Sequence, residues 1–130
     1  ARHPYAEDSR TGEVQWQVKL FGRITASPAV TDEQVYVTSH DRYLYALDRQ
    51  TGQQTWRFET GWPISSSPVV ADEVVYFGGT GSESYLYAVD RHTGQELWNF
   101  ETDEPIYSSP TLADGIIYFG SEDNYLYALK

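Results

Sequence analysis

Apolar residues in this chain fall in short runs separated by turn residues, and the runs are of two kinds. Some are continuous, as in Val74-Val75-Tyr76-Phe77, Ile116-Ile117-Tyr118-Phe119 and Tyr43 to Leu47. A short unbroken apolar run predicts a strand buried on both faces. Others alternate. Val14, Trp16, Val18 and Leu20 share one side, with Gln15, Gln17 and Lys19 between them, as in a half-exposed strand. No segment sustains the i, i+3, i+4 spacing of an amphipathic helix, so the chain reads as all-β.

The runs recur in register. Thr11-Gly12, Thr51-Gly52 and Thr93-Gly94 each open a unit, at separations of 40 and 42 residues. Each unit then carries Trp (Trp16, Trp56, Trp98), Pro (Pro28, Pro68, Pro110), Tyr (Tyr36, Tyr76, Tyr118) and a Tyr-Leu-Tyr-Ala string ending at Ala46, Ala88 or Ala128. A two-residue insertion around 80–83 accounts for the longer spacing. A strand-rich period of about 40 residues is the signature of four-stranded β-propeller blades. Strand A is expected over Ile24–Val30, at the sheet edge because Pro28 lacks an N–H. The small residues before each repeat proline suit a crowded place near a central axis. Strand B is expected over Val35–Thr38, strand C over Tyr43–Leu47 and strand D over Val14–Leu20. The C–D link is Asp-x-x-Thr-Gly (Asp8, Asp48 and Asp90), in which Asp accepts from backbone amides and Gly supplies a positive φ. A carboxylate repeated in every unit reads as turn chemistry, not as a catalytic group.

Composition narrows the functions. The chain has 130 residues, a formal net charge of −10 and no Cys. The acidic balance argues against a nucleic-acid partner, because phosphate binding needs clustered Lys and Arg. The missing thiols exclude a disulfide framework, a thiolate metal site and a Cys nucleophile. No apolar run approaches the length of a helical membrane span. The start at Ala1, without Met or leader, reads as a processed or excised chain. His3, His40 and His92 lie in different contexts and make no metal triad. Gly78-Gly79-Thr80-Gly81 lacks the helix and Lys of a phosphate loop.

The string from Tyr43 to Trp56, followed by Ser-Ser-Pro and a Tyr-Phe-Gly strand, resembles the pyrroloquinoline-quinone-like (PQQ-like) propeller repeat, and the likeness covers the chain from Tyr5 onward. The resemblance implies that Trp16, Trp56 and Trp98 pack between blades. The family includes quinoprotein dehydrogenases, which hold a quinone and calcium with acidic and amide side chains, a catalytic Asp and often a vicinal disulfide. It also includes cofactor-free propellers, such as an outer-membrane assembly lipoprotein and sensor domains fused to kinases. Without Cys, and with Asn99 and Asn124 as its only Asn residues, the chain is expected to carry no cofactor, metal or catalytic residues. The resemblance favours an extracytoplasmic or cell-envelope location.

The expected organisation is a tail over 1–7, displaced or disordered, and three repeats over 11–50, 51–92 and 93–130. The chain opens in strand D of one blade and closes in strand C of another. A homodimer in which each copy's D strand completes the other's last blade would give a six-bladed ring, closing head to tail after two steps. A–B and C–D links share one face and are uniform. B–C and D–A links share the other and diverge, which frees them for binding. Trp62, Tyr107, His40 and Arg23 are the candidate partner-binding residues there. Trp62 has an alternative role in packing across a blade seam. The acids Asp103, Glu104, Glu122 and Asp123 read as a solvated face. The expected function is a non-enzymatic scaffold or protein-binding module. The alternative is a piece of a quinoprotein-dehydrogenase-like or kinase-linked sensor propeller.

Overall fold

Thirteen strands and no helix follow from these runs among the residues that the computed structural model describes, 5–7, 11–81 and 84–130. They are β1 (Tyr5–Glu7), β2 (Val14–Gln17), β3 (Ala29–Val30), β4 (Gln34–Thr38), β5 (Tyr43–Asp48), β6 (Gln54–Glu59), β7 (Val69–Ala71), β8 (Val74–Gly78), β9 (Ser84–Asp90), β10 (Glu96–Thr102), β11 (Thr111–Ala113), β12 (Ile116–Gly120) and β13 (Leu126–Leu129). They form antiparallel sheets in the orders β1-β2, β3-β4-β5-β6, β7-β8-β9-β10 and β11-β12-β13. The last three are called sheets I, II and III. Each is an up-and-down meander, so the A–B and C–D turns share one end and the B–C and D–A loops the other.

The continuous apolar runs are the central strands. Val35, Val37, Leu44 and Leu47 in sheet I and Val75, Phe77, Leu86 and Val89 in sheet II are buried, because each of these sheets has a neighbour on both faces. One core lies between β2 and sheet I, with Leu20, Val37, Tyr45 and Leu47. A second lies between sheets I and II, with Tyr36, Leu44, Ile64, Phe77 and Tyr87. A third lies between sheets II and III, with Leu86, Ile106, Ile117 and Phe119. The aromatic arrangement repeats from seam to seam. Phe77 stacks on Tyr87 at 5.1 Å with Phe58 edge-on to both, and Phe119 stacks on Tyr127 at 5.1 Å with Phe100 edge-on.

Strand A is shorter than its sequence suggests. Only Ala29–Val30 pairs, where Ile24–Val30 was expected. The serine-proline stretch before it is unpaired within its sheet for a physical reason. Pro28 has no N–H, and the serine amides donate sideways instead. Ser27 N–H donates to Ser67 Oγ at 2.9 Å, and Ser67 N–H donates to Ser109 Oγ at 3.1 Å. A serine ladder thus runs from sheet to sheet along the inner edge.

Residues 5–7, expected as part of a displaced or disordered tail, form β1 and pair with β2. The register is Tyr5↔Gln17, Ala6↔Trp16 and Glu7↔Val14. It is the register of Tyr45↔Arg57, Ala46↔Trp56 and Leu47↔Gln54 between β5 and β6. Residues 1–4, and Asp8 with its expected turn role, lie outside the described residues.

Candidate functional site

The variable face is built by the D–A and B–C loops. His40 opens at the seam between sheets I and II. Its backbone N–H donates to the Arg23 carbonyl at 3.0 Å, and Ile64 N–H of the next unit donates to the Ser39 carbonyl at 3.2 Å. Its Nε2 lies 3.1 Å from Thr25 Oγ1 and 3.4 Å from Ser65 Oγ. Thr25 and Ser65 hold the same repeat slot in successive units, so one imidazole clasps two units together. The Arg23 side chain is exposed. Trp62 lies one loop further on and is 48 % exposed. Its ring covers Gly81, where an added Cβ would come within 2.5 Å of the indole. Gly81 therefore has no room for a side chain, and its φ of +108° disfavours one as well. Tyr107 takes the Thr25 and Ser65 slot in the third unit and is 51 % exposed. The structure thus groups Arg23 with His40. It sets Trp62 and Tyr107 on successive loops of the same face.

The B–C loops diverge less than their letters suggest. Ser39 to Tyr45 and Ser121 to Tyr127 are the same device. Ser39 N–H donates to Tyr43 O at 3.0 Å and Ser121 N–H to Tyr125 O at 3.1 Å. Asp41 Oδ1 accepts from Tyr43 N–H, and Asp123 Oδ1 from Tyr125 N–H. The second oxygen of each Asp accepts from the hydroxyl of Tyr45 or Tyr127. Arg42 and Asn124 take positive φ at the same place. The two loops differ in this frame at His40 against Glu122 and at Arg42 against Asn124. The spacing Asp-x-Tyr-x-Tyr was the available signal, hidden because the inserted residues of the second unit break it.

Burial, with the bond to Asp41 and its charge, pushes the Tyr45 hydroxyl far above its ordinary pKa. Replacing Asp41 with Ala leaves a hydroxyl that is 3 % exposed without its acceptor. We expect a loss of about 1–3 kcal/mol. The Tyr45 pKa should fall at the same time. Denaturant titration and tyrosinate absorbance check the two effects.

The opposite face is structural. Asp48 Oδ1 accepts from the Gln50 and Thr51 amides at 2.9 and 3.0 Å, and Asp90 Oδ1 from the His92 and Thr93 amides at 2.8 and 3.0 Å. These bonds lower the Asp90 pKa. A polar recess of about 110 Å³ lies there, lined by Thr31, Gln34, Tyr36, Arg91 and His92 among others. Gln34 Nε2 and Tyr36 OH, which line it, donate to the Arg91 carbonyl at 3.3 and 3.0 Å, as does the neighbouring Trp56 Nε1 at 3.1 Å. His92, hydrogen-bonded to Glu73 with Arg91 beside it, holds the Glu73 carboxyl below its usual range. Trp16 Nε1 likewise donates to the Arg49 carbonyl of sheet I at 2.9 Å. Trp16 and Trp56 therefore each lie against the turn of the following sheet. Trp98 is 39 % exposed, and among the described residues nothing accepts from its Nε1.

Phe21 was not singled out by sequence. It is 94 % exposed on the first D–A loop. Aligning the units would have shown it, since Gly61 and Asp103 occupy its slot.

The family model described as outer membrane protein assembly factor BamB matches residues 4–85 and again 65–130. No curated protein matches the chain. Among solved structures, BamB from Moraxella catarrhalis is similar, with a TM-score of 0.87 and 25 % identity over 98 % of this chain and 40 % of that one. The quinohemoprotein alcohol dehydrogenase ADHIIG from Pseudomonas putida HK5 aligns with a TM-score of 0.81 and 22 % identity, over 90 % of this chain and 25 % of its own. The computationally designed Ika4 protein aligns with a TM-score of 0.78 and 18 % identity, over 94 % of this chain and 75 % of its own. The last two likenesses bear on the fold alone. The chain spans well under half the length of the BamB structure it matches.

Proposed function

The chain belongs to the PQQ-like propeller family of the outer membrane protein assembly factor BamB, and on that premise we propose that it is a non-enzymatic, extracytoplasmic scaffold or protein-binding module. Its three blades are completed between chains, two copies making one six-bladed ring. One observation carries the binding role. Phe21, Trp62 and Tyr107 stand 94, 48 and 51 % exposed on three D–A loops of a single face. Aromatic side chains on loops held by a rigid sheet scaffold are suited to protein contact. The carboxylates Asp41, Asp48, Asp90 and Asp123 each hold backbone amides, which leaves them structural work in place of catalysis.

Peptides selected from a displayed library against the native chain test this reading. The Phe21→Ser, Tyr107→Ser double variant should bind them at least about 10-fold more weakly while its far-ultraviolet circular dichroism stays that of the native chain. Unaltered affinity would remove the aromatic face from consideration. Reduction of a dye by an alcohol when pyrroloquinoline quinone and Ca²⁺ are added, at a rate above that of free quinone, would establish the dehydrogenase alternative instead. Sedimentation should give twice the chain mass of 14.8 kDa.

A further inference from the structure

Resting on the protein-binding reading above, we propose that the D–A face takes an occupant of one chemistry. It is an extended protein segment with carboxylates at one end, cationic side chains at the other and an apolar residue midway. Its acidic end lies over the first D–A link (19–23), its apolar residue on the second (59–63) and its basic end over the third (101–105).

The charges of the three links differ at equivalent positions. The slot of Lys19 holds Glu59 and Glu101 in the next two units, that of Phe21 holds Gly61 and Asp103, and that of Gly22 holds Trp62 and Glu104. The Lys19 and Phe21 slots are exposed in all three units, so their exposure belongs to the repeat and not to the surroundings of one sheet. The first link therefore presents Lys19 and Arg23, and the third presents Glu101, Asp103 and Glu104. The second has Trp62, with Glu59 on one side and Arg42 on the other. The B–C loops follow the same trend, with His40 and Arg42 in the first unit against Glu122 and Asn124 in the third. Among the described residues, none of Lys19, Arg23, Arg42, Asp103, Glu104 and Glu122 makes an ion pair. Asp41 and Asp123, by contrast, are spent on their own tyrosines.

Backbone bonds fix the order of the loops. His40 N–H holds the Arg23 carbonyl at 3.0 Å. Thr60 N–H donates to the Arg42 carbonyl at 2.9 Å, and the Thr60 hydroxyl donates to the Trp62 carbonyl at 2.8 Å. Thr80 Oγ1 donates to the Pro63 carbonyl, Ile106 N–H to the Gly79 carbonyl at 3.0 Å and Glu122 N–H to the Pro105 carbonyl at 2.9 Å. The loops thus lie side by side as basic, aromatic and acidic, and the opposite charges stay apart.

That separation selects the occupant. Neighbouring sheets pack about 10 Å apart, so the outer links are about 20 Å apart. This exceeds the screening length of about 8 Å at physiological salt, and the two ends act independently. A segment of uniform charge gains at one end and is repelled at the other. A segment of matching polarity gains at both. At about 3.3 Å per residue, some six residues of extended chain cover the distance. The residue halfway meets the indole of Trp62, which rests on Gly81.

Two nine-residue peptides test the polarity. Each has a central Phe with two Thr on either side. One carries two Glu at the first end and two Lys at the other; its control carries one Glu and one Lys at each end. Both have the same composition and net charge, so the overall charge of the protein cancels from the comparison. At 0.15 M salt the polar peptide should bind the native chain at least about 5-fold more tightly than the control. At 1 M salt, where the screening length is about 3 Å, the preference should vanish. Lys19→Glu with Arg23→Glu should lose most of it, as should Asp103→Lys with Glu104→Lys. The fourfold variant should regain it, with the peptide turned end for end. All four side chains are exposed and outside the strand ladders, so far-ultraviolet circular dichroism of every variant should match the native chain. Equal binding of the two peptides, or no recovery in the fourfold variant, would overturn the polar occupant while leaving the protein-binding face in place. So would failure of both peptides to bind while the displayed library yields ligands without this charge order. No ligand from either source would overturn both readings.

Discussion

Replacing Phe77 with Ala is expected to remove about 3–5 kcal/mol of stability, the usual cost of deleting a buried aromatic ring. The ring is 0 % exposed. It stacks on Tyr87 at 5.1 Å and takes the edge of Phe58 at 6.2 Å. Leu44 of sheet I and Val89 of sheet II, in the same core, are both committed to ladders, so they cannot collapse into the space. A domain of this size has only roughly 5–15 kcal/mol in total. The midpoint should therefore drop by roughly 10–20 °C in a thermal melt. Phe77→Leu should recover most of the loss, because the smaller cavity is partly filled. A Phe77→Ala melt within a few degrees of the native one would mean that the seam between sheets I and II is not packed as described.

Raising the pH should produce a cooperative unfolding between about pH 10 and 12. Burial, with nearby acidic and tyrosine groups, pushes the Tyr87 hydroxyl up to about 12. Burial and Asp41 push Tyr45 higher still, and burial also raises Tyr36 and Tyr76. In the unfolded chain a tyrosine ionises near 10. The unfolded state therefore loses its phenolic protons first. The stabilisation held in the native pKa values is fully present below about pH 10 and disappears as the pH climbs through the native values. Two units on Tyr87 alone are worth about 3 kcal/mol. Self-repulsion acts in the same direction, since a chain already at −10 gains further negative charge. Tyrosinate absorbance and far-ultraviolet circular dichroism should change together. Titration of Tyr45 and Tyr87 near pH 10 with the sheets intact would contradict the burial described.

Most of the strand architecture was legible from local pattern. Strands B and C announce themselves because both of their faces are covered, so Val74 to Phe77 and Tyr43 to Leu47 need no alternation. The Asp-x-x-Thr-Gly turns were legible because their bonds stay within a few residues, as in Asp48 to Gln50 and Thr51. Strand A was overestimated because the amides of Ser27 and Ser67 bond to hydroxyls about 40 residues away, and local propensity carries no trace of such partners. The candidate face was legible in part. His40 and Trp62 stood out as unlike their repeat counterparts. That His40 spans Thr25 and Ser65, and that Trp62 covers Gly81, depends on which loops the sheets bring together.

By itself the sequence determined the period, the strand order within each unit, the turn chemistry and the acidic charge. All of these are set by contacts between residues close along the chain or by composition. Tertiary structure alone decided which side chains of equivalent repeat slots are buried. Leu44 and Leu126 share a slot and neighbouring letters, yet one is sealed and the other open. Burial in a stack of sheets is a property of the neighbour, and a neighbour is supplied by the fold and not by the residue.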